Sequence, residues 1–318
     1  MNSELSPEDQ RILERYLNRK NNQPEVPPKN EIPPINPESF NFTIDNLVKN
    51  GKTFYSDKKV NDKYVGVQLA LEEAQKYIQT NKGTIATMPY LIAGKTQAVN
   101  SDAQGNKTRD GNHYLWKNWF TALSEEYIGI DEKGTFTTKG KSVLITLHGG
   151  GILTPERIKK AYTDGLTQQN AAKLEQTEFK NILKGILPNN EQIQIYSLED
   201  IKNNKIINPF GKYAVAQDLE KAKGYTSGYH NKTKFLENPI VLARAGTKEY
   251  LDTYFELAKK SDDSTVGCWH RLNETDPKVP SGRLLFLDNY CNGLNGNGNL
   301  NNVGRFVGVA PEAHRAKK

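Results

Sequence analysis

His148-Gly149-Gly150-Gly151 is the segment whose residue types speak most directly of chemistry. It follows the apolar run Val143–Leu147, and glycines at the end of a strand let backbone N–H groups come close to a ligand and aim at negative charge. Gly149, Gly150 and Gly151 are therefore expected to bind an anionic group, with His148 as a catalytic imidazole; a bare structural turn is the other reading. Arg244 stands in Leu-Ala-Arg-Ala-Gly-Thr near the end of another apolar run, where a guanidinium could clamp a phosphate or carboxylate; a surface ion pair is the other reading. Asp288 ends the run Leu284–Leu287 and could act as base, metal ligand or ribose acceptor, or simply begin a turn with Asn289. In Cys268-Trp269-His270 the thiol and the imidazole share one side if the segment is extended, so His270 joins His148 and Asp288 as a catalytic candidate; a core cysteine beside a surface histidine is the other reading.

The HGGG loop is similar to two known ones. It resembles the oxyanion-hole loop of esterases of the α/β-hydrolase fold, and the substrate-contacting loop of amino-acid kinases such as acetylglutamate kinase. The chain has neither the G-x-S-x-G nucleophile elbow of the first nor the early Lys-x-Gly-Gly strand of the second, so it is assigned to neither. A Rossmann G-x-G-x-x-G and a P-loop are also missing from their strand-to-helix setting, which disfavours standard dinucleotide or NTP binding and leaves the cofactor unknown. His113, His230 and His314 make no recognised metal-ligand spacing, and no metal is expected. Asn292–Asn302 is dense in Asn and Gly, lacks the acidic ligands of a calcium loop, and reads as a mobile surface loop.

These residues need elements to hold them. Ser6–Lys20 has a capping serine, a first-turn proline and the stripe Ile12, Leu13, Tyr16, Leu17, which predicts a short helix. Six prolines between Pro24 and Pro37 then predict an extended linker, so residues 1–38 form a flexible segment ahead of one domain over 39–318. Helices are predicted over Gln68–Gln79, over His113–Ser124 from the spacing of Leu115, Trp116, Trp119, Phe120 and Leu123, and after Thr154 and Thr247. Strands are predicted at Gly83–Met88 before Pro89, Val143–Leu147, Gln192–Tyr196, Tyr213–Ala216, within Pro239–Gly246, and at Val266–Trp269, Arg283–Asp288 and Arg305–Val309, with a hairpin over Tyr127–Lys141. Repeated strand-helix units predict a three-layer α/β fold, with a mixed, mostly parallel sheet and helices on both faces.

Two cysteines, Cys268 and Cys291, are too few for a disulfide framework and predict a reducing compartment. The start MNSELSPEDQ has no leader-like pattern, and no run approaches the roughly 18 apolar residues of a membrane span, so a soluble, cytoplasmic protein without membrane contact is expected. A net charge of +6 and a pI near 9.0 favour acidic partners, but Lys and Arg are interleaved with Asp and Glu. Together the residues predict hydrolysis or group transfer on an anionic small molecule. The alternative is a non-catalytic interaction protein whose basic surface and leading helix bind nucleic acid or a protein partner.

Overall fold

The computed structural model of the chain describes residues 44–100, 113–259, 264–290 and 292–311. The helix and linker expected over 1–38 lie outside the described residues, as do Cys291 and His314. The strands in chain order are β1 (Lys52–Ser56), β2 (Lys59–Val60), β3 (Lys63–Tyr64), β4 (Thr84–Ile85), β5 (Phe120–Asp131), β6 (Lys141–His148) and β7 (Ala172–Lys173). They continue with β8 (Ile195–Ser197), β9 (Tyr213–Asp218), β10 (Gly228–His230), β11 (Val266–His270), β12 (Ser281–Leu287), β13 (Leu294–Gly296) and β14 (Gly304–Val309).

Nine strands form one sheet in the order β10-β11-β13-β12-β5-β6-β9-β8, with β7 against β12. Six of its eight pairings are antiparallel, and only β11/β13 and β8/β9 run parallel. The mostly parallel, three-layer α/β architecture is therefore corrected to a mixed sheet with antiparallel strands at its centre. β5 and β6 are hairpin neighbours, and Asp131 organises their connection by accepting from the amides of Gly134, Phe136 and Thr137.

Specific segments account for the difference. Pro239–Ala245 is a helix, not a strand: a short apolar run fits either a buried strand or a buried helix. Helix signals frame it, with Asn238 accepting from Ile240 N, Pro239 in the first turn, and Gly246 in a left-handed cap at φ 66°. The aromatic cluster at Trp116–Phe120 divides between a single helical turn, Tyr114–Lys117, and the start of β5. Pro89 opens the helix Met88–Asn100 instead of only closing the strand before it.

A second sheet, β1-β14-β4, pairs the last described strand with the first and sets Arg305 opposite Tyr55. The large sheet buries side chains on both faces. On one face Leu285 and Leu287 pack in a core with Leu91, Leu242 and Phe255 from helices; on the other, Tyr127, Ile145 and Leu147 pack in a core with Phe179 and with Phe306 of the second sheet. No helix among the described residues is long and apolar enough to cross a membrane.

Candidate binding face

The centre of the sheet is held by two consecutive glutamates on β5. Successive strand residues point to opposite faces, so Glu125 and Glu126 each anchor a different segment. Glu125 accepts from the amides of Gly151, Ile152 and Leu153 and from the Tyr127 hydroxyl, and burial pushes its carboxyl above the usual range. Glu126 forms a two-pronged ion pair with Arg244, 2.7 Å to Nε and 2.8 Å to Nη2. Arg244 Nη1 also donates to the carbonyls of Leu294 and Trp269, at 2.6 and 3.0 Å.

The HGGG segment serves the same interior. Gly149 and Gly150 take positive φ, 87° and 74°, and both amides donate to the Leu123 carbonyl. With Gly151 on Glu125, the glycine amides are engaged by acceptors within the protein. His148 is fully buried, with Nδ1 2.9 Å from Ser124 Oγ and Nε2 2.9 Å from the Ala243 carbonyl. Burial lowers its pKa to about 4, so the ring is neutral at physiological pH. A serine and a histidine in contact resemble a nucleophile-base pair, but Ser124 is itself fully buried and already accepts from Met88 N.

Arg244 is buried at the end of a helix, and His270 is buried with Nε2 3.0 Å from the Tyr225 carbonyl. Burial lowers the His270 pKa to about 4 and raises that of Cys268 to about 11. Asp288 alone of the seven sequence candidates lines a groove, and its Oδ1 accepts from Tyr290 N as a turn-starting residue does. Among the described residues no group of three or more His, Cys, Asp and Glu side chains is placed to hold a metal ion.

That groove has a volume of about 370 Å³ and lies on the outer face of the β13-β12-β5 region, beside β14. Strand register builds it. Trp269 pairs with Asn295, Asn295 with Phe286, and Phe286 with Thr121, so one row of side chains crosses four strands on one face. Alternate residues Leu284, Phe286 and Asp288 face the groove, whereas Leu285 and Leu287 are fully buried on the other side.

The Asn/Gly segment supplies much of the remaining wall, including Asn297, Asn299 and Asn302. Trp119 closes one end, with the Arg305 guanidinium 5.1 Å from its ring centroid and 4.8 Å from that of Tyr55. Arg305 is fixed by a 2.7 Å bond to Asn118 Oδ1, and Arg271 reaches Asn299 Oδ1 at 3.5 Å. On the neighbouring strands β10 and β11 Tyr229 and Trp269 meet edge to face at 5.5 Å, and Tyr290 is 72 % exposed. A larger open depression of about 600 Å³ lies by Ile207 and Lys248, and none of the seven candidates lines it.

This architecture has a counterpart among solved structures. It is described as the accommodation of massive sequence variation in Nanoarchaeota by the C-type lectin fold; it is 26% identical, with a TM-score of 0.58, and the match covers 82% of this chain and 99% of that one. The chain is similar to a C-type lectin fold. That likeness replaces the layered α/β expectation. No protein-family model matches the chain, and no curated protein matches it.

In this lectin-like frame the groove residues are those the sequence pattern undervalued. Trp119 reads as one of a helical core cluster, and Asn297 and Asn299 as members of a mobile loop. The available signal was the alternation Leu285, Leu287 against Phe286, Asp288 at the end of an apolar strand.

Proposed function

We propose that this chain is a non-catalytic binding protein that presents the groove around Trp119, Phe286, Asn297 and Asn299 to a folded protein partner. The observation that carries this reading is the separation of roles along β12 and β13. Leu285, Leu287 and Leu294 are fully buried and hold the scaffold, while Phe286 and Asp288, which alternate with them, and Asn297, just past β13, are partly exposed in the groove. Such residues can change without removing a core contact. The likeness to a C-type lectin fold that accommodates massive sequence variation supports the same division.

The lining also suits protein recognition. Rigid aromatic rings provide contact area at small entropic cost, and Asn provides adaptable donors and acceptors. Arg271 and Asp288 add one charge of each sign.

The test is an array of folded soluble proteins probed with the purified chain, at low and high salt. Expected are partners whose binding falls at least tenfold on Trp119→Ala and on Phe286→Ala, with little change in Tm. Binding that survives both changes contradicts the reading, as does an acyl or phosphoryl turnover abolished by His148→Gln. A steep loss of binding with salt, unaffected by either aromatic change, points to phosphate contacts and nucleic acid instead.

A further inference from the structure

Arg283 is a buried cation that the lectin-like scaffold leaves without an acceptor. It lies on β12 directly opposite Glu126 on β5, is 5 % exposed, and its Nη1 has no hydrogen-bond partner among the described residues. The carboxylate nearest in register gives an oxygen each to Nε and Nη2 of Arg244. Among the described residues no carboxylate stands within ion-pair distance of Arg283.

We propose that Arg283 holds a monovalent inorganic anion of the halide class in the protein interior, beside the Arg244–Glu126 pair. Charge requires it. Arg244 and Glu126 form an ion pair, and the other charges that act on Arg283 are one cation and one anion, Arg271 and Glu274, which leaves the Arg283 guanidinium in excess. Burial lowers its pKa only to about 10, so it keeps its proton at neutral pH.

An uncompensated buried charge is strongly unfavourable, and water alone supplies a hydrogen-bond partner but no opposite charge. A guanidinium is weakly hydrated and pairs readily with a weakly hydrated ion. One negative charge completes the balance, which excludes a doubly charged phosphate or sulfate as the natural occupant.

The experiment uses the full chain exchanged into sodium gluconate, a bulky organic anion in place of halide. Chloride or bromide is then titrated in at constant ionic strength while Tm is recorded. Expected is a saturable rise of roughly 5–10 °C at a hundredfold excess over Kd, absent in Arg283→Met. Crystals grown with bromide should show an anomalous peak within hydrogen-bonding distance of Arg283 Nη1. An equal halide response in Arg283→Met, or a bromide map of the unaltered chain with no peak at Arg283, overturns the proposal. The map decides even if the variant does not fold.

Discussion

Gly296 lies against the guanidinium of Arg244: a β-carbon at position 296 would overlap both Arg244 Nη2 and Glu126 Oε2. The glycine on β13 is thus the gap through which the central ion pair passes beneath the sheet. Replacing it by alanine pushes apart a buried ion pair. Gly296→Ala should cost about 3 kcal/mol in denaturant unfolding, from overpacking together with loss of a buried ion pair. Gly298→Ala, which meets only the edge of the half-buried Phe286 ring, should cost far less.

The Arg244–Glu126 pair itself should behave as a unit. Glu126→Leu alone leaves two buried guanidiniums, Arg244 and Arg283, without their nearest carboxylate and should destabilise by about 3–5 kcal/mol, whereas Arg244→Met should cost less, because Arg283 stands opposite Glu126. The double variant Arg244→Met/Glu126→Leu should recover part of that loss. Denaturant melts of the four proteins give the coupling energy, and additive losses would show that the two side chains act independently.

Acid should weaken the fold through its buried imidazoles. His148 has a pKa of about 4 in the folded chain and an ordinary value of 6.5. The unfolded chain therefore binds the extra proton first, and stability falls as pH drops from about 6.5 to about 4, by about 3 kcal/mol for this group. His270, also lowered to about 4, acts in the same sense, whereas Glu125, raised by burial, acts in the opposite one. The His148 share is isolated by comparing the unaltered chain with His148→Gln. The variant should lose close to 1.4 kcal/mol per pH unit of slope between pH 6 and 4.5.

Lys95 supports the turn that carries Tyr290. Its ammonium is fully buried, 4.8 Å from the Trp116 ring centroid, and donates to the Asp288 carbonyl and to Asn292 Oδ1 at 3.2 and 3.4 Å. Lys95→Met should cost about 1–3 kcal/mol and speed hydrogen exchange at residues 288–293 while leaving β5 and β6 protected.

Part of this was legible in the sequence. Val143–Leu147, Tyr213–Ala216, Arg283–Leu287 and Arg305–Val309 lie in strands, and Thr154-Pro155 begins a helix with Thr154 as its cap. Strand direction was not legible, because an apolar run reads the same whether its neighbour is parallel or antiparallel, and Pro239–Ala245 took the helical form of a pattern that fits both. The residue types that suggest chemistry were visible, but their burial was not. Arg244 and His148 find acceptors far along the chain, Glu126 and the Ala243 carbonyl, and such pairings appear only after folding. The groove is formed by strand register, and a lone sequence does not specify register.

The most direct measurement is a saturation substitution scan of residues 119–128 and 283–303, scored for folded protein on the cell surface. Expected is broad tolerance at Trp119, Phe286, Asp288, Asn297, Asn299 and Asn302, beside near-complete intolerance at Glu126, Leu285, Leu287, Leu294 and Gly296. Equal sensitivity in the two sets would contradict the separation of a changeable face from a fixed scaffold.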